Sequence, residues 1–223
     1  MISIPRYTGG PMQLLIWGAS GHAKVVADIV RRAGAYEVVG YLDDVTPRPP
    51  EATFLGAPLY TSVTSLAVLR SQGVRHLILG IGSCEARLRL ASVGKGHGFS
   101  LATAVHPCSV VAEDVALGAG TVVMGGAVIN PGTVLGENVV VNTGAVVDHD
   151  CIVEEGAHIC PGARLAGDVA VGRGAWVGIG ATVIEKIRIG AGAFVGAGAV
   201  VIRDVPANAR VAGVPARRLD KGA

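Results

Sequence analysis

The stretch AVINPGTVLGENVVVNTGAVVDHDCIVEEGAHICPGARL, Ala127 to Leu165, decides how this chain folds. Ile129, Leu135, Val141, Val147, Val153, Ile159 and Leu165 recur at a strict interval of six. The interval continues outward through Val123, Leu117 and Val111 on one side and through Val171, Val177, Val183, Ile189, Val195 and Val201 on the other. Two residues before the aliphatic the side chain is usually small, as at Ala127, Thr133, Ala145, Ala157, Ala163, Ala175, Ala181, Ala193 and Ala199. Three residues after it stands Gly or an alternative such as Asn138, Asp150, Asp168 or Asp204. Each hexad thus supplies a short strand and a turn, three hexads make a triangular coil, and coils stack with strands about 4.8 Å apart. The aliphatic side chain points into the prism, the small one sits near a corner, and Gly, Asn and Asp accept the left-handed turn backbone. A plain antiparallel sandwich would give no reason for an unbroken period of six.

This repeat explains the composition. Of 223 residues 33 are Gly, and half are hydrophobic although only 4% are aromatic, as a prism too narrow for rings requires. Trp176 and Phe194 fall at other hexad positions and are expected to face outward or toward a neighbour. The net charge of +2 comes without a basic run or aromatic–basic interleaving, so no nucleic-acid partner is indicated. Cys84, Cys108, Cys151 and Cys160 form no CxxC pair and read as small buried hydrophobes in a reducing compartment, with no metal site. Met1 to Met12 lacks the apolar core of a signal peptide, and no long uninterrupted apolar run spans a membrane, so a soluble, cytoplasmic protein is expected.

Ahead of the repeat the pattern changes to alternating strands and helices. Strands are expected at Gln13–Trp17, Glu37–Leu42 and His76–Ile81, and helices at Ala23–Ala33, Ser65–Ser71 and Glu85–Val93, with a loop from Pro47 to Pro58. The turn Gly18-Ala19-Ser20-Gly21-His22 between strand and helix aims backbone N–H groups at an anion, although Ser20 and Ala23 stand where the dinucleotide fingerprint has glycines. Asp43 and Asp44 close the next strand, where an acid can hold a ribose or base. The expected organisation is an α/β, Rossmann-like βαβ domain over residues 1–104 and a parallel β-helix over 105–223.

Joined, the two modules resemble the sugar-modifying acetyltransferases of the NeuD and PglD type. The matching pieces are IWGASGHAKVVADIV, YLDD, LGIGSCEAR (Leu79–Arg87), AVHP (Ala104–Pro107), NTGAVVDHDC (Asn142–Cys151) and AGVPARRL (Ala212–Leu219). The resemblance implies a left-handed β-helix that binds acetyl-CoA, an N-terminal domain that holds a nucleotide-sugar, and a homotrimer with active sites between subunits. It also implies roles. His149 becomes the general base, with Asp150 fixing its tautomer, although sequence leaves open which neighbouring Asp meets the ring. Asn142, His158, Gly167, Ile179 and Ala197 would meet the acetyl group and pantetheine, and Arg217 or Arg218 the phosphates of CoA. Gly18, Ser20, Gly21, His22, Asp43, Asp44, Gly82, Ser83 and Arg87 would hold the nucleotide-sugar. Here Ser83-Cys84 replaces the two amides usual in relatives, and Ala197 replaces a glycine. His106 reads as a structural residue at the domain junction. The implied reaction is N-acetylation of the 4-amino group of a nucleotide-linked 4-amino-4,6-dideoxysugar; O-acetylation of a sialic acid is the alternative. A metal-dependent hydratase on the same prism would need a third β-helix histidine besides His149 and His158, and a catalytically silent nucleotide-binding scaffold would show no turnover.

Overall fold

The computed structural model describes residues 10–49 and 51–219; the signal-peptide reading of the first residues lies largely outside them. Four hydrophobic residues, Leu14 to Trp17, are buried on both faces of strand β1 (Met12–Trp17), as a central parallel strand demands. Helix α1 (Gly21–Ala33) follows, ended by Gly34, whose left-handed conformation lets its N–H reach the Val30 carbonyl. Strand β2 (Tyr36–Leu42) pairs in parallel with β1. The stretch expected to be loop-rich also contains a short antiparallel hairpin that was not expected, β3 (Thr53–Phe54) and β4 (Ala57–Tyr60). Strands of two and four residues around the turn at Leu55-Gly56 carry too little alternation to be read from sequence. Helix α2 (Ser65–Ser71), strand β5 (His76–Leu79), helix α3 (Cys84–Gly96) and strand β6 (Ser100–Leu101) complete a sheet of order β3-β4-β2-β1-β5-β6. The chain leaves β1 toward β2 and returns on its other side at β5. The ligand crevice of such a sheet lies at this reversal, beyond the carboxyl ends of the strands.

Gly18 shows how tightly that crevice is built. Its φ of 129° is open to glycine, and a Cβ there would stand 2.5 Å from the Gly80 carbonyl oxygen. The turns after β1 and β5 therefore approach each other along their backbones.

Beyond β6 the strands are two or three residues long and, as far as Ala212, pair in parallel with partners one coil away. Val122 pairs with Val140, Val128 with Val146 and Val134 with Ile152, each a step of 18 residues, or three hexads. Three sheets result, forming the faces of a prism. The expected interior is present: Ile129, Val147, Ile159, Val177 and Val195 are fully buried, with Ala145, Ala157, Ala163 and Ala175 beside them at the corners. The repeat also starts one hexad earlier, at Ala104–Val105. It ends with a shortened coil, in which Ile189 meets Val205 and Val195 meets Val211, steps of 16 residues. This shortening corrects one turn: Asn138, Asp150 and Asp168 are left-handed as expected, joined by Lys186 and Asn208, but Asp204 is not and instead accepts the Arg188 N–H at 2.8 Å.

The face carrying Ala104, Val122 and Val140 is covered by α1, so these residues share a core with Ala23, Val26 and Ala27. Helix α3 runs along the adjoining corner, where Lys95 pairs with Glu137. Below α3 the same face presents Trp176 and Phe194, outward as expected and half-buried. Of the four cysteines three are buried; Cys108 is exposed, which corrects the uniform reading. Among the described residues no helix is long and apolar enough to cross a membrane.

Candidate functional site

The turn Asp148-His149-Asp150 occupies a prism corner. Asp150 holds a left-handed φ of 58°, which brings its carboxylate beside the preceding ring, and His149 Nδ1 lies 2.8 Å from Asp150 Oδ2. Asp148 does something else: its Oδ1 accepts the Asn130 amide at 2.7 Å and the His149 backbone N–H at 2.9 Å. The choice between the two acids, open in the sequence, thus falls on Asp150 for the ring and Asp148 for the turn. With Nδ1 as the donor to Asp150, Nε2 is left as an exposed acceptor. The Asp150 hydrogen bond, helped by the charges of Asp148, Asp150 and Asp168 and opposed by burial, raises the His149 pKa above 6.5.

One coil along, Gly167 lies under this ring. A Cβ at Gly167 would stand 2.5 Å from His149 Cε1 and Nε2, so only glycine leaves the imidazole its place. The Gly167 carbonyl accepts from Lys186 N–H, while among the described residues its own N–H donates to no partner. A free base nitrogen and a free backbone donor therefore sit on the same corner.

His158, nine residues on, is built differently. It stands at the outward strand position, 2% exposed, with Nδ1 3.1 Å from the Gly82 carbonyl and Nε2 3.0 Å from the Asn142 amide nitrogen. The Asn142 Oδ1 accepts the Thr143 N–H, so its amide nitrogen faces the ring and the histidine is neutral with its proton on Nδ1. Burial, reinforced by the Arg87 and His22 charges against the Gly82 bond, lowers its pKa to about 3. His22, in the first turn of α1, lies with its ring 5.9 Å away and its Nε2 buried without a partner among the described residues; burial and then Arg87 lower its pKa to about 4.

The N-terminal residues are only partly as expected. Ser20 precedes α1 without its side chain capping it, and no acid occupies the first turn, so the helix N-terminus keeps its N–H groups for an anion. Ser83 instead caps α3, accepting Ala86 N–H at 3.3 Å. Asp44 accepts the Trp17 indole N–H at 2.9 Å, and Asp43 holds its own turn through the N–H groups of Val45 and Thr46. Burial tends to raise the Asp43 pKa, but the hydrogen bonds from Thr46 and Val45 and the charge of Arg48 bring it below the usual carboxylate range. Arg87, expected beside the nucleotide, is 1% exposed and bound to backbone carbonyls. His106 Nδ1 accepts the Cys108 N–H, a turn role consistent with its structural reading.

Within one chain the remaining residues are not brought to His149. Asn142, Ile179 and Ala197 line the corner before the sheet that carries Val146, whereas His149 and Gly167 line the corner after it. Ile179 is 58% exposed and Ala197 is exposed beside it. Arg217 and Arg218 form an exposed antiparallel strand against Val211–Ala212.

One feature legible by phase escaped the sequence reading. His158, Trp176 and Phe194 each precede an inward aliphatic residue and are spaced by 18, which stacks them on consecutive rungs. Ring centroids lie 4.5 Å apart for His158–Trp176 and 6.2 Å for Trp176–Phe194, with Arg210 over Phe194. Trp176 and Phe194, with Ser83, Glu85 and Arg173, line an open cleft of about 670 Å³. Among the described residues no cluster of three or more potential metal ligands occurs.

Residues 13–93 match the family described as PglD N-terminal domain, and residues 132–167 match bacterial transferase hexapeptide (six repeats). No match was found among the curated proteins. Among solved structures, the chain is similar to a histidine-to-asparagine mutant of perosamine N-acetyltransferase from Caulobacter crescentus in complex with CoA and GDP-perosamine. The two are 40% identical over 96% of this chain and 99% of that one, with a TM-score of 0.89. It is also similar to the acetyltransferase domain of PglB from Neisseria gonorrhoeae FA1090 in complex with acetyl coenzyme A, 35% identical over 94% of this chain and 100% of that one, TM-score 0.87. WeeI from Acinetobacter baumannii AYE is 26% identical over 93% of this chain and 100% of that one, TM-score 0.85.

Proposed function

Since the chain belongs to the NeuD/PglD-type sugar acetyltransferases, with their left-handed β-helix of hexapeptide repeats, we propose that it transfers acetyl from acetyl-CoA to the 4-amino group of a nucleotide-linked 4-amino-4,6-dideoxysugar. A GDP-linked sugar is the favoured acceptor, because the relatives at 40 and 41% identity were solved with GDP-perosamine. The observation that carries the reading is the His149 corner: a ring tied through Nδ1 to Asp150, with Nε2 free beside an unused Gly167 N–H.

In this reading the sugar amine attacks the thioester carbonyl directly while His149 Nε2 removes its proton. Asp150 supports the imidazolium, and Gly167 N–H stabilises the oxyanion. The new C–N bond forms, the C–S bond breaks, and the proton held by His149 passes to the departing thiolate. Cys151 and Cys160 are buried, and burial raises both thiol pKa values, Cys160 to about 12, which argues against an acyl-cysteine intermediate. Exposed Ile179 and Ala197 offer an apolar edge to the pantetheine arm, and Arg217 or Arg218 a charge for its nucleotide end. The α1 N-terminus at Ser20-Gly21-His22 would receive the diphosphate. Because the two groups of residues lie on opposite edges of one sheet, the site is completed by the neighbouring subunit of a homotrimer.

The test is a panel of GDP-, UDP- and dTDP-linked 4-amino sugars and free sialic acid with acetyl-CoA, reading CoA release. Turnover on a nucleotide amino sugar is expected. Turnover on sialic acid alone would replace the proposed acceptor, and release with none of them would refute acetyl transfer to this substrate class.

A further inference from the structure

Arg87 is a buried cation that no carboxylate pairs among the described ion pairs. Its guanidinium has five N–H donors, and the structure supplies a carbonyl for each. Nη1 reaches Ile81 O at 3.2 Å and Gly82 O at 2.8 Å, both in the turn after β5. Nε reaches Asn138 O at 3.1 Å, and Nη2 reaches Gly156 O at 2.7 Å and Ala157 O at 3.2 Å. Asn138 and Gly156 are 18 residues apart, at one corner of adjacent coils. One side chain thus fastens a loop of the N-terminal sheet to two rungs of the prism.

The fastening continues past the guanidinium. Gly82 O, already held by Arg87, also accepts from His158 Nδ1, and His158 Nε2 accepts from Asn142. The chain Arg87–Gly82–His158–Asn142 crosses the covered face from one corner to the next. It ends at the corner where Ile179 and Ala197 are exposed.

We propose that Arg87 is a positioning residue for acetyl transfer, which orients the Gly82 loop toward the nucleotide-sugar and, through Gly82 O, fixes the tautomer of His158 without touching either substrate. The proposal rests on the function proposed above. A lysine would keep the charge but has three donors on one compact head and leaves carbonyls of this set unpaired.

The experiment compares Arg87→Lys with the wild-type protein in two ways. Steady-state kinetics should show KM for the nucleotide-sugar raised about tenfold or more, with a clearly smaller change in KM for acetyl-CoA. Imidazole ¹⁵N spectra should show His158 as a single Nδ1–H tautomer in the wild type and a loss of that uniformity in the variant. Unchanged kinetics, or both KM values rising together as for general loosening, would overturn the proposal. So would a wild-type His158 that carries its proton on Nε2, a measurement that needs no variant and decides the matter if Arg87→Lys does not fold. If no nucleotide amino sugar is acetylated, the proposed function fails on that assay, while the His158 tautomers of the two proteins still judge Arg87.

Discussion

Two histidines nine residues apart on the same repeat have opposite chemistry. His149 lies on an open corner, bound to one acid with two others nearby, and its imidazolium is favoured. His158 lies beneath the N-terminal sheet, bound between a carbonyl and an amide near a buried guanidinium, and its neutral form is enforced. The repeat places both side chains outside the prism. What covers them decides the rest: solvent and acids make one a base able to accept a proton, and a second domain makes the other a fixed prop. A regular scaffold thus acquires distinct sites where its periodicity is interrupted by contact.

The largest test of that contrast is His149→Asn. If the open corner carries the chemistry, kcat falls roughly 10²-fold or more while the thermal midpoint stays, because the ring packs against little besides Gly167. A variant with wild-type turnover would remove His149 from the reaction.

Asp150→Asn sharpens the account of why His149 is basic. The Asp150 hydrogen bond raises the His149 pKa, so its loss lowers that pKa and frees the base at lower pH. The acid limb of the rate profile should move to lower pH, and kcat should fall about tenfold as the ring loses its orientation. A limb that stays in place would assign it to another group.

Gly167→Ala probes the same corner by bulk. The added methyl overlaps His149 Cε1 and Nε2, so the ring must move; a several-fold loss of kcat with little change in either KM is expected. Kinetics indistinguishable from wild type would show that the ring is not held where Nε2 meets the amine.

The covered region is tested through stability rather than rate. His22 and His158 titrate near 6.5 when unfolded but at about 4 and about 3 when folded. The unfolded chain therefore binds more protons below pH 6.5, and stability that is full above that value declines as pH falls toward 3. Melting scans should show the midpoint dropping across this window. Asp43, whose folded pKa is lowered, adds a loss in the same direction at the lower end. A midpoint constant from pH 7 to pH 4 would mean that the seam does not exclude protons.

The prism was legible because its rule is translational: one period of six sets interior, corner and turn, and only the shortened last coil and the early start at Val105 departed from it. The α/β sheet was legible in its longer elements, through buried runs such as Leu14–Trp17, but not in the Thr53–Tyr60 hairpin. The site divided likewise. His149 and Asp150 are neighbours in sequence, so their meeting needs only a left-handed turn. Arg87 joins carbonyls 51 and 69 residues away, and no local pattern specifies such a contact. The motif that marked Arg87 for the nucleotide also carries the contacts that hold its loop to the prism. Trp176 and Phe194 were read as facing outward or toward a neighbour, yet their alignment with His158 follows from the spacing of 18, and the two rings form part of the cleft wall.

The most direct test of the account is the pH dependence of kcat/KM for acetyl transfer to a GDP-linked 4-amino-4,6-dideoxysugar. It should rise through a single group above pH 6.5, as a raised His149 that must lose its proton requires, and His149→Asn should abolish that rise with most of the rate. Absence of transfer, or a rise that persists in His149→Asn, would contradict it.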